Sequence, residues 1–105
     1  MANITFTTAT AVSAAQPLAL SELAGACGAD TAWVLRLVEV GIVQTTTPQP
    51  QPERWQFSGS DLAHALEARR LERDFGVDLD AAALILELQD EVRRLKSLLR
   101  AHGLG

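Results

Sequence analysis

Gly28 and Asp30 stand two residues apart and give opposite instructions to a helix. Gly28 closes a stretch in which Leu20, Leu23, Ala24 and Cys27 recur at helical spacing, and a glycine there accepts the left-handed backbone that ends a helix. Asp30 places a carboxylate where the unpaired amides of a new helix begin, and that helix is expected from Thr31 to Val40, stopping at Gly41. A stop and a start this close force two short helices to meet across a tight turn, the helix-turn-helix arrangement. Val34, Leu37 and Val38 share the face that packs on the first helix, whereas Trp33, Arg36 and Glu39 or Val40 lie wholly or partly outside it.

Beyond Gly41, Ile42 to Thr46 has the β-branched character of a strand and Arg54 to Phe57 that of its returning partner. Pro48, Pro50 and Pro52 deny the intervening segment its amide donors, so it is expected to project as the loop of a hairpin, the wing of a winged helix-turn-helix. Ser58 and Asp61 form a Ser-x-x-acid helix start, followed by a helix over about Gly59 to Phe75 with Leu62, Ala65, Leu66, Leu71 and Phe75 as its apolar positions. Asp78 caps a final helix from Leu79 to about Ala101. In it Ile85, Leu88, Val92, Leu95 and Leu99 follow one another at intervals of three, four, three and four, a heptad seam that Leu98 widens. About two heptads are too few for a free-standing coiled coil, so the seam is expected to begin in the domain core and end against a partner helix or a second copy. The chain divides into an arm and linker over 1–17, which includes a Thr-rich strand candidate at Ile4 to Val12, a winged helix-turn-helix over 18–78 and a C-terminal helix over 79–105. The fold class is mainly α.

A chain of 105 residues has room for one modest core, which excludes dinucleotide-binding and barrel enzymes, and catalysis is not expected. Cys27 is the single cysteine, and with His64 and His102 far from it and from each other the sequence shows neither a disulfide nor a metal set, so no cofactor is expected. Glu72, Asp74, Asp78 and Asp80 are close in sequence but lack the spacing and glycine of a calcium loop. The apolar run Ala81 to Leu86 is far short of the roughly 20 residues that cross a bilayer. Residues 1–21 carry no side-chain charge and include Ser13-Ala-Ala15, but without a basic start they do not make a signal peptide, and a cytoplasmic location is expected.

Leu20-Ser-Glu-Leu-Ala24, Gly28, Gly41-Ile-Val43, Arg54-Trp-Gln-Phe-Ser58, Asp61-Leu62 and Gly76-Val-Asp-Leu79 fall in the order and spacing of a MerR-like winged-helix domain, which the chain resembles from about residue 18 to residue 90. Within that superfamily it looks most like the CbpM chaperone-modulator family. The likeness is carried by the Met-Ala-Asn start with its Thr-rich strand, Trp55-Gln-Phe57 and Asp90-Glu-Val-Arg-Arg-Leu-Lys96 with the leucines that follow. The resemblance implies a small adaptor that binds the J-domain of a CbpA-type, DnaJ-like co-chaperone and blocks its stimulation of the DnaK-type chaperone. It departs from DNA-binding MerR proteins at Leu35-Arg36-Leu37, where they usually carry Arg-Tyr-Tyr, and at Trp55, where their wing usually carries Arg.

Charge agrees with those departures. Residues 21–44 carry Glu22, Asp30 and Glu39 against Arg36, a net −2 (one positive, three negative), within a chain of net −4. Phosphate neutralisation dominates DNA affinity, so nucleic acid is an unfavoured partner. A MerR-type DNA-binding regulator, using Arg36, Arg54, Arg69 and Arg70, is the alternative. For the J-domain reading, Glu22, Asp30 and Glu39 are the candidate charged contacts and Trp33 or Trp55 the candidate anchor. Each has a structural reading beside it: the tryptophans as cover for the core edge, Asp30, Ser58 and Asp78 as caps, Cys27 as a small buried side chain. Ile85, Leu88, Val92, Leu95 and Leu99 are the candidate dimerisation residues of a possible homodimer.

Overall fold

The computed structural model describes residues 16–45 and 50–103. In chain order these form β1 (Leu18–Ala19), α1 (Leu20–Ala26), α2 (Thr31–Glu39), a 3-10 turn at Pro52–Arg54, β2 (Gln56–Phe57), α3 (Gly59–Phe75) and α4 (Leu79–Ala101). The Ile4 to Val12 strand candidate lies outside the described residues.

The helix boundaries follow from the caps. Asp30 Oδ1 accepts from the Trp33 amide at 2.9 Å and starts α2. Asp78 Oδ1 accepts from the Ala81 amide at 2.9 Å and starts α4. Gly76, at φ 67°, ends α3 in the left-handed conformation that a side chain would strain. Leu20, Leu23, Ala24 and Cys27 of the first helix region are all buried, as are Val34 and Leu37 of α2, while Val38 is half-buried. Burial pushes the Cys27 thiol above its ordinary pKa, outweighing the nearby Arg69, so this cysteine is an inert core side chain.

The small sheet pairs β1 with β2 antiparallel, Leu18 opposite Phe57 and Ala19 opposite Gln56. The expected partner of Arg54 to Phe57 was Ile42 to Thr46; of that segment's described residues, Ile42 and Gln44 commit their amides elsewhere. The Ile42 amide donates to the Leu37 carbonyl at 2.9 Å, closing the end of α2, and the Gln44 amide donates to Asp61 Oδ1 at 3.2 Å. The Thr45 hydroxyl reaches the wing strand, donating to the Gln56 carbonyl at 3.3 Å. The β-branched pair Ile42 and Val43 is instead core, 7% and 1% exposed. Leu18 and Ala19 are drawn into the ladder, and the first helix begins at Leu20.

Asp61 joins these pieces. Its carboxylate accepts from the Ser58 amide at 2.9 Å and the Gln44 amide at 3.2 Å, while the Ser58 hydroxyl accepts from the Asp61 amide at 3.2 Å. This reciprocal capping box starts α3 and also holds the segment that leaves α2. Asp61 is buried, so removing its carboxylate strands two amides with little water to replace it. Asp61→Ala is expected to lower stability by roughly 1–3 kcal/mol in urea denaturation, and Asp61→Asn, which keeps one acceptor oxygen, by less.

On α3 the buried face is Asp61, Leu62, Ala65, Ala68 and Leu71. Leu66 and Phe75, expected on that face, are 37% and 65% exposed. Three-residue spacing from Leu62 through Ala65 and Ala68 to Leu71 makes a narrow stripe, and the small alanines let α4 approach. From α4 the core takes Leu79, Ala82 and Leu86.

Candidate protein-binding surface

The expected contact residues are distributed by the fold as follows. Glu22, in the first turn of α1, accepts from the Ala19 amide through Oε1 at 2.7 Å, so it serves the start of that helix while remaining exposed. Asp30 and Glu39, both exposed, flank α2 at opposite ends, separated by nine residues and hence about 13 Å of helical rise. Trp33 is not an exposed anchor: it is 7% exposed. Its indole Nε1 donates to Glu72 Oε1 at 2.8 Å, and the Arg69 guanidinium lies 5.7 Å from its ring centroid and 3.7 Å from the Glu72 carboxylate. Facing the first helix is only one way to be buried. Trp33 points away from α1 and is covered by α3, which a wheel of the two-helix unit does not include. Trp55 is half-buried, edge-on to Phe57 with centroids 6.4 Å apart and planes at 80°, and packs against the core.

Of the arginines of the alternative reading, Arg69 and Arg70 are engaged, while Arg36 and Arg54 are exposed. Arg70 donates to both Glu67 oxygens, at 2.9 and 2.6 Å, and lies 3.8 Å from Asp74. That guanidinium holds the Glu67 carboxyl below its ordinary pKa. Arg69 is held by Glu72 and by the Gly28 carbonyl at 3.4 Å. The exposed strip of α2 has Arg36 as its cation, with Glu39 three residues on. Among the acids considered together in sequence, Glu72 and Asp74 are thus engaged by α3 arginines and Asp78 by a cap, and no group of metal-ligating side chains occurs among the described residues.

The broadest apolar surface lies on α4. Leu84, Leu88, Val92, Leu95, Leu98 and Leu99 are 44–57% exposed. At 100° per residue, Leu88 and Leu95 lie about 120–180° around the helix from the core-facing Leu79, Ala82 and Leu86. The stripe is therefore a second face and not an outward continuation of the core. Ile85 sits at the boundary, half-buried against the core, and Leu84 stands at the head of the exposed stripe. The sequence reading missed Leu84, although its four-residue step to Leu88 was available.

Asp90 and Glu91 pair with Arg93 and Arg94 respectively along the same helix. Such exposed pairs contribute little to stability. No helix among the described residues is long and apolar enough to cross a membrane.

Residues 18–101 match the model of the MerR HTH family regulatory proteins. Over 65 residues the chain is 34% identical to the chaperone modulatory protein CbpM of Pseudomonas entomophila (strain L48), an alignment covering 62% of this chain and 62% of that relative. A mainly helical domain with a capped helix-turn-helix, a small antiparallel wing pair and a long final helix is what that family match requires, and the chain belongs to the MerR HTH regulatory-protein family, with a CbpM-like chaperone modulator among its relatives.

Proposed function

We propose that this chain is a chaperone modulator that binds the J-domain of a CbpA-type, DnaJ-like co-chaperone and thereby inhibits its stimulation of a DnaK-type chaperone. The observation that carries this reading is the 34% identity to CbpM within a MerR-type domain. Electrostatics supports it against the DNA-binding alternative. The exposed strip of α2 offers Arg36 beside Glu39, and Arg69 and Arg70 are engaged by Glu72, Glu67 and Asp74, so few free cations remain to neutralise phosphates. The action is occlusion of a surface and not catalysis, and it takes place in the cytoplasm, where the partner chaperones work. The exposed face of α4 supports a homodimer, because a stripe of six large apolar side chains is wider than the isolated leucines a monomer surface tolerates.

Calorimetric titration of the full chain with the isolated J-domain is expected to show saturable binding, and a promoter-length DNA duplex at the same salt is expected to give no heat of binding. Saturable binding of the duplex with none of the J-domain overturns the reading in favour of a DNA-binding MerR regulator.

A further inference from the structure

We infer that the groove between the carboxyl end of α2 and the α3–α4 pair receives a lysine or arginine side chain of the protein partner, with Glu87 and Asp90 as the receiving carboxylates. This rests on the protein-binding reading and assigns the contact to carboxylates of α4 in place of Glu22, Asp30 and Glu39.

The groove encloses about 400 Å³ and is walled by three elements. Its floor is apolar: Ile42, Ala83 and Leu86, of which Ile42 and Leu86 also belong to the core. Its formal charges are all negative, from Asp61, Glu87 and Asp90, and no lysine or arginine lines it. The last turn of α2 ends on it at Val40 and Gly41, adding the negative end of that helix's dipole.

The acids divide by their commitments. Asp61 is buried and spends its oxygens on the Ser58 and Gln44 amides, so it contributes field and not a contact. Asp90 is exposed, pairs with Arg93, and approaches His64 Nε2 at 3.9 Å. Glu87, exposed on the α4 wall, has no hydrogen-bond or ion-pair partner among the described residues. An apolar floor beneath an unneutralised carboxylate suits a side chain with a methylene stem and a cationic head. A bare metal ion would find no use for that floor, and an anion would be repelled. The charge complementarity that steers protein association therefore points to a basic partner side chain.

The test uses the full chain and the isolated J-domain. Glu87→Lys reverses an exposed charge that no other group depends on, and the double variant Glu87→Gln with Asp90→Asn removes both charges without reversing them. Wild type is expected to bind. Glu87→Lys is expected to weaken binding by about tenfold or more, and the double variant to weaken it and to flatten the dependence of affinity on salt, with thermal unfolding close to wild type. Wild-type binding with both variants unchanged removes the groove as the contact and leaves the chaperone-modulator reading standing. Absence of wild-type binding overturns that reading and the groove with it.

Discussion

Phe57→Ala is expected to lower the stability of the domain by roughly 3–5 kcal/mol, a large share of the roughly 5–15 kcal/mol available to a domain of this kind. Phe57 is fully buried and is the ladder partner of Leu18, so its ring is the point at which the strand entering α1 and the strand leaving the wing close over the helical core. Trp55 packs edge-on against it, but is only half-buried. The two sites therefore make an internal comparison. In denaturant titrations followed by circular dichroism, Phe57→Ala is expected to shift the midpoint far more than Trp55→Ala. Equal losses would mean that the wing tryptophan closes the core as much as Phe57 does.

The double variant Leu88→Glu with Leu95→Glu is expected to have the opposite signature, with little change in the stability of the isolated domain but complete loss of self-association. Both leucines are about half-exposed and stand on the face of α4 turned away from Leu79, Ala82 and Leu86. Covering the exposed half of each leucine in a dimer is worth about 0.8–1.5 kcal/mol, and two-fold symmetry counts each one twice. Replacing four buried leucines with glutamates that repel one another is expected to raise the dimer dissociation constant by at least about a thousandfold. Sedimentation equilibrium reads this directly: wild type dimeric at micromolar concentration, the variant monomeric. A wild-type chain that stays monomeric overturns the dimer and leaves the stripe to another protein.

Local chemistry was legible where the physics is local. Asp30, Ser58 and Asp78 were readable as helix starts because a cap is made within three residues of itself. Gly28, Gly41 and Gly76 were readable as stops because positive φ selects glycine regardless of what lies around it. Ile42 and Val43 were misread as a ladder strand because β-branched residues signal burial on a flat surface as strongly as they signal pairing. The amides of Ile42 and Gln44 were committed to the end of α2 and to Asp61, neither of which the hydrophobic pattern records.

The candidate surface was less legible. Trp33 looked free because its neighbours were judged within the first two helices, and a third helix supplied Glu72 and Arg69 from some forty positions later. The acidic groove was invisible for the same reason. Asp61 read as a helix start and Glu87 and Asp90 as the acidic half of a helix, and only the packing of α3 on α4 beside the end of α2 sets the three around one apolar floor.

The order of helices, their caps and breaks, the identity of the buried face of α1, and the acidic balance were properties of the sequence itself, since each depends on spacing within a few residues or on composition. The partner of the wing strand, the burial of Trp33 and the direction in which the α4 leucines point belonged to the tertiary structure. Each depends on which elements meet across long sequence separations, and a hydrophobic residue at helical spacing records that a face will be covered without recording by what.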